Sequence, residues 1–151
     1  MDEEIDTVIV DTYAIMADLT EQATQKAVKT LEKIRTGNIR GILHYHIIYE
    51  LSYHWRKGRL PFTDEEELLD FINTYFTYKD IGIETALEAS KIKVVGDNLL
   101  ASSDDPYLKN RRLSIADATT IALAKQVEIP IVTGDIDLSY VAKKLGVEII
   151  W

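Results

Sequence analysis

The chain has 151 residues, a formal net charge of −8, no cysteine, 46% hydrophobic residues and 28% charged residues. This describes one soluble globular domain, residues 1–151, with a substantial core. It excludes disulfides and thiolate-bound metals, a membrane span, for which no apolar run approaches the roughly 20 residues needed, and a basic protein that coats nucleic acid nonspecifically. The acidic start Met1-Asp2-Glu3-Glu4 reads as neither a secretory signal nor a transit peptide, and the whole fits a cytoplasmic protein.

There is no internal repeat, and Pro61, Pro106 and Pro130 read as boundaries. Ile5 to Val10 is a β-branched run that predicts a buried strand. Thr20 to Ile34 has helical spacing (Ala23, Ala27, Leu31, Ile34), and Gly37 stops it. Ile39 to Tyr45 predicts a strand, Ile47 to Lys57 a helix ended by Gly58, and Asp64 to Tyr75 a helix with acids in its first turn. Ile81 to Ile83 predicts a short strand, and Glu84 to Leu100 a helix with a break at Gly96. Asp104-Asp105-Pro106 is the clearest loop. Ser114 to Gln126 is helical, Ile129 to Thr133 a strand, Leu138 to Leu145 a helix capped by Gly146, and Val147 to Trp151 the last strand. Strands alternating with helices imply an α/β fold with a mostly parallel sheet covered on both faces.

Four acids stand out on this frame: Asp11, Glu50, Asp117 and Asp135. Asp11 and Asp135 follow predicted strands, and ligands of open α/β sheets bind outside the carboxyl ends of strands. Glu50 shares a helix face with Ile47, Leu51 and His54, where a carboxylate is desolvated unless something pairs with it or it reaches out to water. Asp117 reaches the mouth of such a sheet only if its helix starts there. Each aspartate also has a plainer reading: Asp11 as a cap, Asp117 as the end of a Ser114-Ile115-Ala116-Asp117 capping box, and Asp135 or Asp137 as the cap of the next helix. Gathered in one place, the acids would repel, and a hard divalent cation, Mg²⁺ or Mn²⁺, is the usual remedy.

The chain resembles the PIN-domain ribonucleases. The resemblance rests on Val8-Ile9-Val10-Asp11-Thr12, Tyr49-Glu50-Leu51, Leu113-Ser114-Ile115-Ala116-Asp117-Ala118 with Ala122 and Ala124, and Ile131-Val132-Thr133-Gly134-Asp135-Ile136-Asp137, with Leu145 to Ile150 as the closing strand. It implies a three-layer α/β/α fold with a sheet of about five parallel strands, the first and fourth adjacent. It also implies a metal site of Asp11, Glu50, Asp117 and Asp135, with Thr133 and Asp137 nearby. Many small members are VapC-type toxins of VapBC toxin–antitoxin pairs, which cleave RNA and are held inactive by a cognate antitoxin. Tyr13 departs from the family, where a small polar residue is common, and so does Leu138, where an aromatic residue is common.

The implied reaction is metal-dependent hydrolysis of RNA phosphodiester bonds, with Asp11 and Asp117 as direct metal ligands and Glu50 and Asp135 completing the site. Such a crowd of acids should raise the pKa of at least one carboxylate without metal. Two basic clusters, Arg56, Lys57 and Arg59 and then Lys109, Arg111 and Arg112, flank the acidic motifs as an RNA-guiding rim would. Their plainer readings are helix-end complementation and a solvated loop. Tyr45, Tyr49, Tyr53 and Trp55 read chiefly as core or interface residues that also offer stacking surfaces. The helices Thr20 to Ile34 and Ile47 to Lys57 offer a groove for an antitoxin helix, and a homodimer is also expected.

Rival readings remain. His46, Glu50 and His54, spaced i, i+4, i+8, with His44 nearby, suggest zinc. A receiver-type regulator lacks its late-strand lysine here, and Asp11-Thr12-Tyr13 breaks the D-x-D-x-T pattern of an aspartyl phosphatase. A PIN nuclease of RNA processing and a non-catalytic PIN-fold binding module complete the alternatives.

Overall fold

The computed structural model describes residues 4–151; Met1, Asp2 and Glu3 of the acidic start lie outside them. The strands are β1 (Thr7–Val10), β2 (Arg40–Leu43), β3 (Thr77–Tyr78), β4 (Ile131–Val132) and β5 (Ile149–Ile150). They form one all-parallel sheet in the order β3-β2-β1-β4-β5. Ile9 pairs with Ile42 on one side and Ile131 on the other, so β1 is central. Val8, Ile9 and Val10 have no solvent exposure, as a strand covered on both faces requires. The first and fourth strands are adjacent as expected, and strand order reverses between them.

The helices are α1 (Thr12–Leu19), α2 (Gln25–Arg35), α3 (Tyr45–Arg56), α4 (Glu65–Tyr75), α5 (Ile83–Ala101), α6 (Pro106–Lys109), α7 (Ile115–Val127) and α8 (Ile136–Lys144). α5 packs chiefly on α7, and α1 packs on α3. α7 leads into β4 at its amino end, so its own first turn lies at the opposite, carboxyl end of the sheet. That topology brings Asp117 to the mouth. Among the described residues no helix is long and apolar enough to cross a membrane.

Several expected elements shift. The third strand is at Thr77–Tyr78, not Ile81 to Ile83; Gly82 caps α5, and Ile83, at 81% exposure, begins that helix. A two-residue edge strand with both side chains exposed has no apolar pattern to read. The helix expected from Thr20 starts only at Gln25, capped by Thr24, because α1 fills Thr12–Leu19. α1 buries Thr12, Ala14, Ile15 and Ala17, a run too uniformly apolar to show a helical stripe. The expected loop at Pro106 is a single helical turn capped by Asp105. α5 does not break at Gly96: a Cβ there would come within 2.8 Å of Leu113 and 3.2 Å of Val141, so the glycine serves close packing.

Candidate active site

Each sequence-predicted acid is set by a local rule. Asp11 follows β1, caps α1 and accepts the Ala14 amide at 2.9 Å. Its other oxygen accepts the Thr133 hydroxyl at 2.6 Å. Thr133 follows β4, and its hydroxyl oxygen also accepts the Asp135 amide at 3.0 Å. One buried hydroxyl thus ties together the ends of the two strands where the order reverses. Asp135 caps α8 through the Leu138 amide at 2.9 Å. Glu50, half-buried in the second turn of α3, accepts the Thr12 hydroxyl at 2.8 Å. Asp117 sits in the first turn of α7, where its amide donates to the Ser114 cap at 3.0 Å. The plain capping reading therefore holds for Asp11 and Asp135 beside the functional one, whereas at Asp117 the cap is Ser114 and the carboxylate itself caps nothing.

The four acids converge. Burial pushes the Asp11 carboxyl up to about 7, and the charges of Asp135 and Glu50 add to it, against the hydrogen bonds from Thr133 and Ala14. Burial, then the charges of Asp135, Asp11 and Glu50, push Asp117 up to about 8. Each of the other three acids thus raises the Asp117 carboxyl. Among the described residues, no three His, Asp or Glu side chains stand together as a ready-made metal cage. The acids act on one another as charges without closing around a common point. Their oxygen-only donors fit a hard divalent cation, and the raised carboxyls are what such a cation would relieve.

Asp137 is 5% exposed, and one of its oxygens accepts a hydrogen bond from Arg111 Nε at 2.9 Å and lies 2.9 Å from Nη2 of the same guanidinium. Its other oxygen is buried without a hydrogen-bond partner among the described residues. Arg111 lies over the Tyr107 ring at 5.3 Å, and Asp135 acts on its guanidinium. Arg111 is therefore fixed beside the acids.

The other basic residues are held differently. Arg56 pairs with Glu65 at 2.9 Å and lies over Trp55, Lys57 lies over Tyr53, and Arg59 donates to His54 Nδ1 at 2.9 Å. Arg56 is also about 9 Å further along the α3 axis than Glu50. Lys109 and Arg112 are exposed. Tyr45, Tyr49 and Tyr53 are 56%, 60% and 47% exposed, so the core reading of these rings is overturned. Trp55 is half-buried and donates its indole N–H to Phe62 O at 2.8 Å.

The zinc reading is not supported: among the described residues no three His, Asp or Glu side chains stand together, and His46 and His54 lie about 12 Å apart along the α3 axis. His44 is fully buried, its Nε2 is 2.8 Å from Thr120 Oγ1, and its Nδ1 accepts the His46 amide at 3.2 Å. Arg59 occupies His54 Nδ1. Thr12 is the site residue that sequence reasoning missed. It was visible directly after Asp11, but its partner Glu50 is 38 residues away.

Comparison with known proteins accords with this frame. The chain resembles the solved VapBC2 complex of Rickettsia felis bound to a promoter DNA fragment, at 13% identity and a TM-score of 0.64, over 95% of this chain and 96% of that one. It resembles PAE2754 of Pyrobaculum aerophilum at 19% identity and a TM-score of 0.56, over 96% and 89%. It also resembles VapC20 of Mycobacterium tuberculosis, a sarcin–ricin-loop-cleaving toxin, at 16% identity and a TM-score of 0.54, over 87% and 92%. No curated protein matches it. These likenesses speak for the fold, while the family pattern of the PIN domain fits residues 8–144, from the first buried valine of β1 to the last residue of α8, and the chain belongs to the PIN domain family.

Proposed function

We propose that this protein is a metal-dependent endoribonuclease and the toxin of a toxin–antitoxin pair. The observation that carries the reading is the convergence of Asp11, Glu50, Asp117 and Asp135 at the strand-order reversal of a PIN-family sheet. Solved relatives in toxin–antitoxin complexes support the biological role and the expectation of an antitoxin partner. A role in RNA processing would use the same chemistry, and genomic pairing with an antitoxin gene separates the two.

Mg²⁺ or Mn²⁺ would be held by Asp11 and Asp117, with Glu50 and Asp135 completing the donor set. Such a cation, when bound, would offset the charge of the scissile phosphate and lower the pKa of water. The residues of the chain do the rest. Thr133 fixes the rotamer of Asp11, and Thr12 fixes that of Glu50. Glu50 or Asp135 orients the attacking water and takes its proton. Arg111, held by Asp137 with part of its guanidinium edge free, binds a phosphate oxygen of RNA. In this reading Asp137 is a positioning residue for Arg111. Lys109 and Arg112 extend the cationic rim, and Arg56, Lys57 and Arg59 serve more distant backbone.

The exposed row Tyr45, Tyr49 and Tyr53 along α3 is offered to a second copy of the chain, consistent with a homodimer.

RNA cleavage by the purified protein tests the reading. Cleavage should require Mg²⁺ or Mn²⁺, stop in EDTA, and fall on the order of 1,000-fold in Asp11→Asn and in Asp117→Asn. Cleavage that survives both substitutions would refute it.

A further inference from the structure

Gly134 joins Thr133 to Asp135, and no side chain fits there. A Cβ would lie 2.3 Å from Cε2 of Trp151, and 2.6 and 2.7 Å from its bonded neighbours Cζ2 and Nε1. Those distances set the indole face against the glycine. Trp151 thus roofs the peptide that carries two of the site residues. Tyr13, next to Thr12, meets the same indole edge-to-face, with ring centroids 5.6 Å apart and planes at 73°. Tyr13 starts from the end of β1, and Trp151 follows β5, the neighbour of β4. The aromatic pair therefore spans the β1–β4 reversal at the same mouth as the acids.

Trp151 packs against the core, but core packing does not account for the Tyr13 ring. Tyr13 is 47% exposed on a helix whose buried positions are Thr12, Ala14, Ile15 and Ala17. A large ring is left open to solvent two residues from Asp11. The same mouth is crowded with carboxylates, which repel a phosphate backbone. Apolar stacking supplies affinity that this charge pattern withholds, and it is indifferent to charge.

We infer that Tyr13 and Trp151 form a stacking subsite for one unpaired nucleobase of the RNA, beside the scissile phosphate. The inference rests on the ribonuclease reading above and extends it. A base in a continuous duplex has no free face, so the subsite selects single-stranded or looped-out nucleotides. Trp151 fixes the Gly134 peptide and backs Tyr13, whose ring carries the base. Stacking is tolerant of base identity, so the subsite discriminates strandedness more than sequence.

The test uses the whole chain carrying Asp117→Asn to silence cleavage and Trp55→Phe to leave Trp151 as its one indole, since the sequence has two. The probes are a short unstructured oligoribonucleotide and an abasic ribose-phosphate chain of equal length, in Mg²⁺. The RNA should change Trp151 fluorescence and the abasic chain should not. Tyr13→Ala should weaken RNA binding roughly 5- to 100-fold, and Tyr13→Phe should retain it. Tyr13→Ala should also leave the melting temperature nearly unchanged, which a purely structural role for the ring would not allow. RNA that binds without altering Trp151, equal binding by Tyr13→Ala, or no RNA binding at all would overturn the subsite.

Cleavage by chains with the native Asp117 separates the two claims. Metal-dependent cleavage with an unchanged KM in Tyr13→Ala removes the subsite and leaves the ribonuclease. Absence of metal-dependent cleavage removes the ribonuclease reading itself.

Discussion

Asp11 and His44 occupy matching places with opposite outcomes. Each directly follows a strand, each caps the next helix, and each meets a buried threonine: Asp11 meets Thr133 at 2.6 Å and His44 meets Thr120 at 2.8 Å. Burial pushes both toward the neutral form, lowering His44 to about 4 and raising Asp11 to about 7. His44 then satisfies both ring nitrogens and is finished as a structural group. Asp11 also has its two oxygens bonded, yet it faces Asp135 and Glu50, and among the described residues no side-chain cation pairs with it. Buried polarity that is locally closed serves the fold, whereas a like-charged surplus at the switch point is a cost to the fold that protonation relieves and that a bound cation would relieve too.

The largest effect on stability should come from breaking the closed member. His44→Ala leaves a cavity, strands the His46 amide and removes one partner of Thr120, at about 3 kcal/mol. Urea unfolding measures it. The metal response should persist in the folded fraction, and a loss of metal binding equal to that of Asp117→Asn would erase the distinction between the two places.

The open member should instead respond to cation. A hundredfold excess of Mg²⁺ or Mn²⁺ over its dissociation constant should stabilise the chain by about 2.7 kcal/mol, read as a rise in melting temperature. Above about pH 8, where the carboxyl is charged, Asp117→Asn should raise the metal-free melting temperature, because it removes a charge that the other three acids repel, and it should blunt the metal-induced rise. A variant less stable without metal, with an undiminished metal response, would show that Asp117 is a cap and nothing more.

Proton dependence separates the two places by sign. Asp11 and Asp117 stand at about 7 and about 8 when folded against an ordinary 3.8, so the folded state holds more protons between about pH 4 and 8. Their contribution is complete at low pH and is lost as pH rises through 7 and 8. His44 stands at about 4 against an ordinary 6.5, so the unfolded state holds more protons in that window, and its contribution is lost as pH falls from 6.5 toward 4. The two oppose each other below pH 6.5. Above it, the metal-free melting temperature should fall steadily to pH 8. Saturating Mg²⁺ should flatten that decline, and Asp117→Asn should reduce it. A metal-free melting temperature that rises between pH 6.5 and 8 would contradict the buried-acid account.

The same contrast explains what the sequence disclosed. Asp11 and Asp135 were legible because each ends a β-branched run, and Glu50 because a carboxylate interrupts the apolar face of Ile47 and Leu51. Asp117 depended on the direction of α7, which follows from its lead into β4 at the foot of the sheet. The central strand was read from Val8-Ile9-Val10. β3 was not, because its two exposed residues pair only with Ile42 and Leu43 through backbone, and backbone pairing leaves no side-chain signal. Gly96 misled because a mid-helix glycine looks like a break until Leu113 and Val141 are seen against it. The structural role of His44, noted only as lying near the zinc candidates, was hidden because its partner Thr120 is 76 residues away.

The smallest effect tests whether the Arg111–Asp137 contact belongs with the closed groups or the open ones. As a structural clamp it would tie the segment before α7 to α8, and Arg111→Ala would lower the melting temperature while sparing KM. As a phosphate contact it would do the reverse. The guanidinium side chain is 48% exposed and sets Nε and Nη2 against a single Asp137 oxygen, so Nη1 is free to meet a ligand. Arg111→Ala should therefore raise KM for RNA about tenfold with a smaller change in kcat, and reduce the salt dependence of binding by about one phosphate contact. Arg111→Lys should restore charge but not the side-on fit to Asp137, recovering only part of the loss. Asp137→Asn should match Arg111→Lys in KM if its role is to aim the guanidinium. It should lose more stability than activity if the clamp is all there is, because Asp137 is buried and already has one oxygen without a partner among the described residues.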